Sequence, residues 1–389
     1  MEKIYDVAII GAGPAGSTLA YRLAQEKLKV ILVDKEKFPR EKVCAGGLTA
    51  KIFKVLPFDI KPVIEKEIFS LRLVYKKQED FCKKYHQPLI YTVKRSRFDD
   101  FLAQKAKKAG ACFLEQNEIK KISRKEKFYQ IKTKHKSFKA KVIVGADGTN
   151  SFVAKFIDFK TNSIDIGLQF DIPYQESQNN QTLVLGWGWI PYGYTWVFPN
   201  NQFLATGVSG SKDLAQKLKS YLKDWVDFLG LTKENLSLKG HPMIHYLGKS
   251  HLFKDKIILI GDAGGLNDPL TGEGIFYALK SAEIASRHIK NFFLGNKNAF
   301  KNYEKEINKE ILPELKAADF FRKVSPLFFP LVFRQIKTNN YYWSVLCRLI
   351  RGEKTFLEIK KQLKPLGLIK KIYEIKRETS RFAKSPHYT

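Results

Sequence analysis

Short, uninterrupted apolar runs set the pattern at the start of the chain. Tyr5–Ile10 (YDVAII) is of the buried-strand type, Gly11–Gly16 (GAGPAG) breaks it, Ser17–Gln25 has helical spacing, and Val30–Val33 (VILV) is a second buried strand. These segments predict one βαβ unit. Farther on, Phe98–Ala109 places Phe98, Phe101, Leu102 and Ala106 on one helical face. Lys141–Gly145 (KVIVG) and Lys256–Ile260 (KIILI) read as two more buried strands, each running into a Gly/Asp turn. Between them, residues 159–251 alternate apolar and polar positions and are rich in aromatics, as a half-exposed antiparallel sheet would be. Beyond Thr271 the pattern is helical to the end, interrupted by Pro313, Pro326, Pro330 and Pro365.

Composition narrows the class. The 389 residues suit two domains at roughly 100–200 residues each, and a hydrophobic fraction of 44% excludes disordered and collagen-like chains. Lys and Arg number 68 against 39 Asp and Glu, a net charge of +29. Such an excess lies on a solvated surface and favours phosphates, nucleic acid or anionic headgroups, although a Lys-rich surface without any partner accounts for part of it. Cys44, Cys82, Cys112 and Cys347 are too scattered for a disulfide framework and form no CxxC pair, so no metal site is expected. The first residues run from a short apolar stretch straight into glycines, unlike a signal peptide, and a reducing, cytoplasmic compartment is the expectation. No uncharged run approaches the ~18–20 apolar residues that span a bilayer, which leaves peripheral contact.

The chemistry starts at Gly11-Ala-Gly-Pro-Ala-Gly16. It follows a strand and opens a helix, the context a GxGxxG needs. Gly11 permits the tight turn, Gly13 lets a pyrophosphate approach the backbone, and Gly16 lets helix pack on strand. Free N–H groups at the helix start then meet the phosphates. Asp34 closes the second strand near the expected ~20-residue spacing, where its carboxylate accepts from an adenosine ribose and disfavours a 2′-phosphate. FAD or NAD therefore fits better than NADP. Two later strands deliver carboxylates at their tips, Asp147-Gly148 and Gly261-Asp262, and the second continues through Gly272-Glu-Gly274-Ile275 into a helix near Phe276. Carboxylates there suit ribityl hydroxyls, and helix N–H groups suit the carbonyl edge of a flavin.

Several stretches together carry a family resemblance: Phe38-Pro-Arg-Glu-Lys-Val-Cys44-Ala-Gly-Gly47-Leu, Arg95-Ser-Arg-Phe-Asp99, the Asp147-Gly148 segment, and Gly261-Asp262 through Ile275. The most specific is Tyr194-Thr-Trp196-Val-Phe198-Pro199 with Gly207-Val-Ser209 after it, similar to a YxWxFP…GxG pattern. The chain resembles the glutathione-reductase-type FAD superfamily, in the branch shared with aromatic hydroxylases, and within it the geranylgeranyl reductase family. The resemblance spans roughly residues 3–300. It implies an α/β fold, α+β overall. A Rossmann-like FAD-binding domain (1–68, 92–158 and 252–300) would be interleaved with an antiparallel-sheet substrate domain (69–91 and 159–251), followed by a basic helical region (301–389). It also implies FAD contacts at Ala15, Asp34, Cys44, Ala45, Gly47, Arg95, Asp262, Gly274 and Ile275. Ser209 departs from the second Gly of GxG, and Lys155 is the nearest cation where an Arg usually follows Asp147-Gly148.

On the substrate side, residues 186–199 hold three of the five tryptophans. Trp187, Trp189, Tyr194, Trp196 and Phe198 are expected to line one strand pair at alternating positions, either as an ordinary sheet core or, as the resemblance implies, as the wall of a cavity for a polyprenyl chain. The implied reaction is FAD-dependent saturation of isoprenoid C=C bonds. Cys44 is a candidate proton donor beside the flavin or a packing residue, and Arg40 and Lys42 could meet a headgroup or diphosphate. The external electron donor (NADPH, ferredoxin or another) is not readable, since no second GxGxxG occurs. A flavin halogenase is suggested by GWGWIP, one residue short of that family's GWxWxIP. Against an aromatic hydroxylase, Gly264-Gly265 stands where a His is usual and Glu273 where a Gln is. Residues 320–389 carry sixteen Lys/Arg and four Asp/Glu among bulky apolar residues. That is the composition of an anionic-membrane anchor, on the inner face of the cell membrane, or of a helical cap on the FAD domain. Nucleic acid is disfavoured because no binding module accompanies the charge.

Overall fold

Strand β1 (Ile4–Ile10) takes a central place because nothing polar interrupts it from Val7 to Ile10, where every side chain is buried. Helix α1 (Pro14–Gln25) turns the chain back, and β2 (Val30–Val33) pairs with β1 in parallel, completing the βαβ unit. In this computed structural model, which describes residues 3–160, 163–174, 181–231 and 236–363, the chain then crosses to a second layer. There β3 (Gly47–Leu48), β4 (Lys66–Ile68) and β7 (Ile90–Thr92) form a small sheet, while β5 (Ser70–Tyr75) and β6 (Glu79–Lys84) join a large one. The chain returns through α2 (Arg95–Lys108), β8 (Cys112–Leu114), β9 (Ile119–Arg124), β10 (Tyr129–Thr133) and β11 (Ser137–Gly145), which pairs in parallel with the other edge of β1.

After α3 (Phe152–Phe156), a second excursion supplies β12 (Ser163–Pro173), β13 (Thr182–Trp187), β14 (Tyr194–Pro199), β15 (Phe203–Ser211), α4 (Ala215–Phe228) and β16 (Lys239–His245). Strands β17 (Phe253–Lys254) and β18 (Ile257–Leu259) complete the first sheet in the order β17-β18-β11-β1-β2-β8. The second sheet runs β16-β12-β15-β14-β13-β5-β6. It is antiparallel except where the two excursions meet: β5 and β13 run parallel, from Ser70 opposite Thr182 to Tyr75 opposite Trp187. No hairpin links those two strands, so nothing obliges them to oppose.

Helix α5 (Ile275–Phe293) begins one residue before the expected Phe276, and α6 (Ala299–Glu310) follows it onto the first sheet's core. Helices α7 (Leu312–Thr338), α8 (Asn340–Arg351) and α9 (Phe356–Leu363) end the described chain. Ile336, Trp343 and Cys347 pack on Leu71 and Leu183 of the second sheet. Glu314 accepts from Phe356 N at 2.7 Å and Leu357 N at 2.9 Å, fastening α9 to α7. The prolines act differently from the expected interruptions. Pro313 stands in the first turn of α7, where a missing N–H costs nothing, and α7 continues through Pro326 and Pro330. The Ser325 hydroxyl donates to the Arg322 carbonyl at 3.0 Å, replacing the bond that Pro326 cannot give. Pro365 lies outside the described residues.

The second sheet owes its own core to α4, whose Leu218, Leu222, Trp225 and Val226 are fully buried against Leu204 and Val208 of β15. Trp225 also donates its Nε1–H to the Trp196 carbonyl at 3.2 Å. Trp225→Ala is expected to cost about 3–5 kcal/mol through the cavity it leaves. The measurement is a lowered urea midpoint, followed by far-UV circular dichroism.

Candidate active site

The turn between β1 and α1 is made of glycines for two different reasons. A Cβ on Gly11, whose φ is +102°, would sit 2.3 Å from the Ala146 carbonyl oxygen, and one on Gly16 would sit 1.9 Å from that of Gly11. Packing alone requires both. A Cβ on Gly13 would meet only Arg40 Nη2, at 3.7 Å, so this position is open and serves close approach by a ligand. Helix α1 starts there without a side-chain cap, leaving its first amides for an anion. Asp34 accepts from Ala12 N at 2.7 Å and Glu36 N at 2.9 Å. Each of its oxygens keeps capacity for a hydroxyl donor.

This turn opens into a single cavity of about 1850 Å³ that reaches the second sheet and the helices beyond it. The volume exceeds the roughly 300–1,000 Å³ of a one-ligand pocket, so a large cofactor and a second molecule fit together. Gly11, Gly13, Ala15 and Asp34 line one end, and Cys44, Ala45, Gly47 and Arg95 the middle. Asp147, Asp262, Gly274 and Ile275 line the side facing α5. Gly16, in the first turn of α1, is buried and does not line the cavity.

The three acidic tips differ. The Asp147 carboxylate faces helix α3: it accepts from the Ser151 hydroxyl and, at 2.7 and 3.3 Å, from Phe152 N and Val153 N. These bonds tie the carboxylate to the start of α3, whose N-cap is Ser151, while the residue still lines the cavity. Asp262 has no donor for its carboxylate among the described residues. Burial raises its pKa, against the pull of the Lys42 and Arg95 charges. A Cβ at Gly274 would lie 2.9 Å from Asn267 Nδ2 and 3.2 Å from Asp262 Oδ1, so the glycine keeps this corner free. Asp268 is fully enclosed, its Oδ1 accepting from Leu270 N at 2.8 Å and Thr271 N at 3.0 Å. Burial pushes its pKa up to about 6.

In the middle, Arg95 donates twice to the buried Asp99, at 2.8 Å each, and Arg40 reaches the same carboxylate at 3.2 Å. Burial works against the Arg95 charge, but Asp99 and a hydrogen bond to Cys44 outweigh it and raise the pKa. Arg40 is thus committed to Asp99. Lys42 instead reaches His241 of β16, with Nζ 2.9 Å from Nε2. Sequence reasoning singles out none of His241, Asn267 and Asp268: the last two sit inside the Gly261–Ile275 stretch without being named, while His241 lies in no motif and only the register of β16 on β12 brings it beside Gly167 at the cavity.

The aromatic wall comprises Trp187 of β13 and Tyr194, Trp196 and Phe198 of β14. The Trp187 and Tyr194 rings stack at 5.4 Å and 19°, and Tyr194 lies 5.4 Å from Trp196. Trp189 does not belong to it. Strand β13 ends at Trp187, and Gly188 at φ +101° breaks the alternation, so Trp189 packs on Trp225 at 5.4 Å on the reverse side. Opposite the wall, Phe328, Phe329 and Ile336 of α7 and Leu346 of α8 complete an apolar enclosure, with Phe329 5.5 Å from Trp187. Apolar residues of α7 and α8, within the basic tail, therefore roof the cavity.

Residues 4–172 match the FAD binding domain family. An uncharacterized protein of Methanosarcina barkeri is 35% identical over 376 residues, covering 95% of this chain and 96% of its own. The digeranylgeranylglycerophospholipid reductase of Methanococcus vannielii is 25% identical over 360 residues, 87% of this chain and 89% of its own. Among solved structures, a geranylgeranyl bacteriochlorophyll reductase-like protein of Thermoplasma acidophilum matches with a TM-score of 0.76 at 22% identity, covering 84% of this chain and 88% of its own. A flavin-dependent brominase matches at 0.71 and 21%, covering 90% and 94%.

Asp268 makes stability depend on pH. Its carboxyl is raised from 3.8 in an open chain to about 6 when folded, so the folded state holds the proton more tightly. That contribution is complete below pH 3.8, is lost as pH rises through about 6, and amounts to about 3 kcal/mol. Asp268→Asn is expected to flatten this slope, as checked by urea unfolding of both proteins between roughly pH 4 and 7.

Proposed function

The chain belongs to the geranylgeranyl reductase family of FAD-dependent flavoproteins, and from that premise we propose that it saturates C=C bonds of a geranylgeranyl or other polyprenyl group carried on a lipid, diphosphate or quinone. The observation that carries this reading is the continuity of one cavity from the glycine turn to the aromatic wall and its apolar roof. A hydrocarbon chain gains about 0.8 kcal/mol per buried CH₂, so walls of this kind hold a prenyl tail by its length rather than by polar contacts.

The cofactor is FAD, and the residues present fit it. Uncapped α1 amides and the open Gly13 suit the pyrophosphate, Asp34 suits the adenosine ribose, and Asp262 with Arg95 suits the ribityl hydroxyls. When bound and reduced, FAD supplies a hydride. Trp196, Phe198 and Phe329 exclude water, and the α7–α8 roof keeps the alkene in place. An external donor, NADPH, ferredoxin or another, recharges the cofactor. A halogenase or hydroxylase of the same fold is the competing reading. Glu273, which stands where hydroxylases usually carry Gln, is tied to Lys51 at 2.5 Å and to Thr49 at 2.6 Å. It belongs to an ion-paired corner of the cavity.

A peripheral position on an anionic membrane accords with the outer side of the roof. Leu327 and Leu331 of α7 are 39% and 61% exposed and do not line the cavity, and Arg334 of the same helix is exposed. No helix among the described residues is long and apolar enough to cross a membrane. The rest of the basic tail, residues 364–389, lies outside the described residues.

Two measurements check these readings. Dithionite-reduced protein incubated without oxygen with polyprenyl lipids is expected to yield products heavier by one H₂ per double bond. Products hydroxylated or halogenated after oxygen is admitted, with the alkenes intact, refute the reductase. The protein is also expected to float with vesicles containing anionic phosphatidylglycerol at low salt and to release at high salt. Indifference to such vesicles rejects the membrane position.

A further inference from the structure

Saturating an alkene needs a proton on the carbon that the hydride does not reach, and the cavity holds few groups able to give one. The Tyr194 hydroxyl donates to the Thr271 carbonyl, and burial followed by the Asp268 charge pushes its pKa up, making it a poor acid. The Cys44 sulfur accepts, from Gly46 N at 3.4 Å and from the Arg95 guanidinium. Asp268 has Oδ1 bound to two backbone amides.

Lys42 differs from all of these. It stands on the loop between β2 and β3, two residues before Cys44, and its ammonium crosses to the second sheet to reach His241 Nε2 at 2.9 Å. Both residues line the cavity, near the place where loop and aromatic wall close on each other: a Cβ on Gly47 would lie 2.3 Å from the Phe198 ring. Lys42 makes no salt bridge among the described residues, whereas the neighbouring Arg40 and Arg95 are both held by Asp99. The charged groups acting on it are Arg95 from α2, Asp262 from the turn after β18, and Arg40 and Cys44 from its own loop. Burial, then the Arg95 charge, brings its pKa down to about 8. Burial, then Lys42 and Arg95, takes His241 down to about 3, so its ring stays a neutral acceptor. The result is an ammonium that is protonated at neutral pH, aimed by an uncharged partner, and close to giving up its proton.

We propose that Lys42 is the proton donor of the reduction and that His241 is the positioning residue that aims it. The Nζ–H bond breaks, and the proton forms a C–H bond with the alkene π pair at the carbon the hydride leaves free. Lysine remains as a neutral amine and is reprotonated from solvent. The two electrons of the saturation come from reduced FAD. This rests on the reductase reading above.

The test uses full-length holoprotein, reduced with dithionite and mixed without oxygen with a geranylgeranyl lipid between about pH 6 and 10. Flavin reoxidation is followed by absorbance and FAD content is measured separately. Wild type is expected to slow above about pH 8 with the loss of one proton. Lys42→Met is expected to keep its FAD, to react about 10²–10⁴-fold more slowly, and to lose that alkaline limb. Lys42→Arg, which cannot deprotonate in this range, is expected to be slow with no limb. His241→Ala slows the same step, and His241→Gln, which keeps an acceptor, recovers part of it. Lys42→Met reacting at the wild-type rate, retaining the limb or losing FAD overturns the assignment, the last outcome making Lys42 a cofactor contact. Wild type that leaves the lipid unsaturated, whatever the variants do, removes the reductase reading itself.

Discussion

The Asp99 carboxylate has no solvent contact, and two guanidinium groups close on it. One belongs to α2 and the other to the loop that carries Lys42 and Cys44, so a single buried charge fixes a helix and a loop together. Removing the shared carboxylate would leave the buried Arg95 charge without its partner, at about 3–5 kcal/mol, far more than an exposed ion pair is worth. The arrangement is a constraint on geometry more than a source of stability. It holds Arg95 at Cys44, keeps Arg40 beside Gly13, and leaves Lys42 as the cation of that loop directed to the second sheet.

Around that point the molecule divides its work between two layers. The first sheet and α1 offer backbone amides, glycines and carboxylates, all polar and rigid. The second sheet and the α7–α8 roof offer aromatic and aliphatic faces. A reaction between a charged cofactor and a hydrocarbon needs both kinds of surface in one enclosed space. Only a chain that passes twice between the layers brings them together, because the loop from the first sheet meets the wall at Gly47 and Phe198.

What the amino-acid pattern reveals follows from how local the cause is. The βαβ unit, the strands ending at Gly145 and Leu259 and the open Gly13 depend on neighbours within a few residues, and the α/β character follows from them. Trp189 misleads because counting every second residue presumes a continuing strand, and Gly188 ends that continuity. Asp147 and Asp262 look alike in sequence, yet three donors at the start of α3 engage only the first. His241 is illegible for another reason. Its importance lies in a partner some two hundred positions earlier, set by strand register rather than by any motif. Likewise, the basic tail shows its charge plainly and hides that Phe328, Phe329 and Leu346 face inward to a cavity.

The parallel seam between β5 and β13 also bears on how the protein comes into being. Ser70 waits for Thr182, more than a hundred residues later in synthesis. At about 5–20 residues per second, that interval is on the order of ten seconds. Until then β5 and β6 form a hairpin with one open edge, carrying Leu71, Leu73 and Val74, which are fully covered in the finished sheet. The first sheet cannot shelter them, since β11 and β18 are also late arrivals. A nascent chain of this fold therefore passes through a stage in which an apolar strand edge is exposed, and its yield in a cell depends on what guards that edge in the meantime.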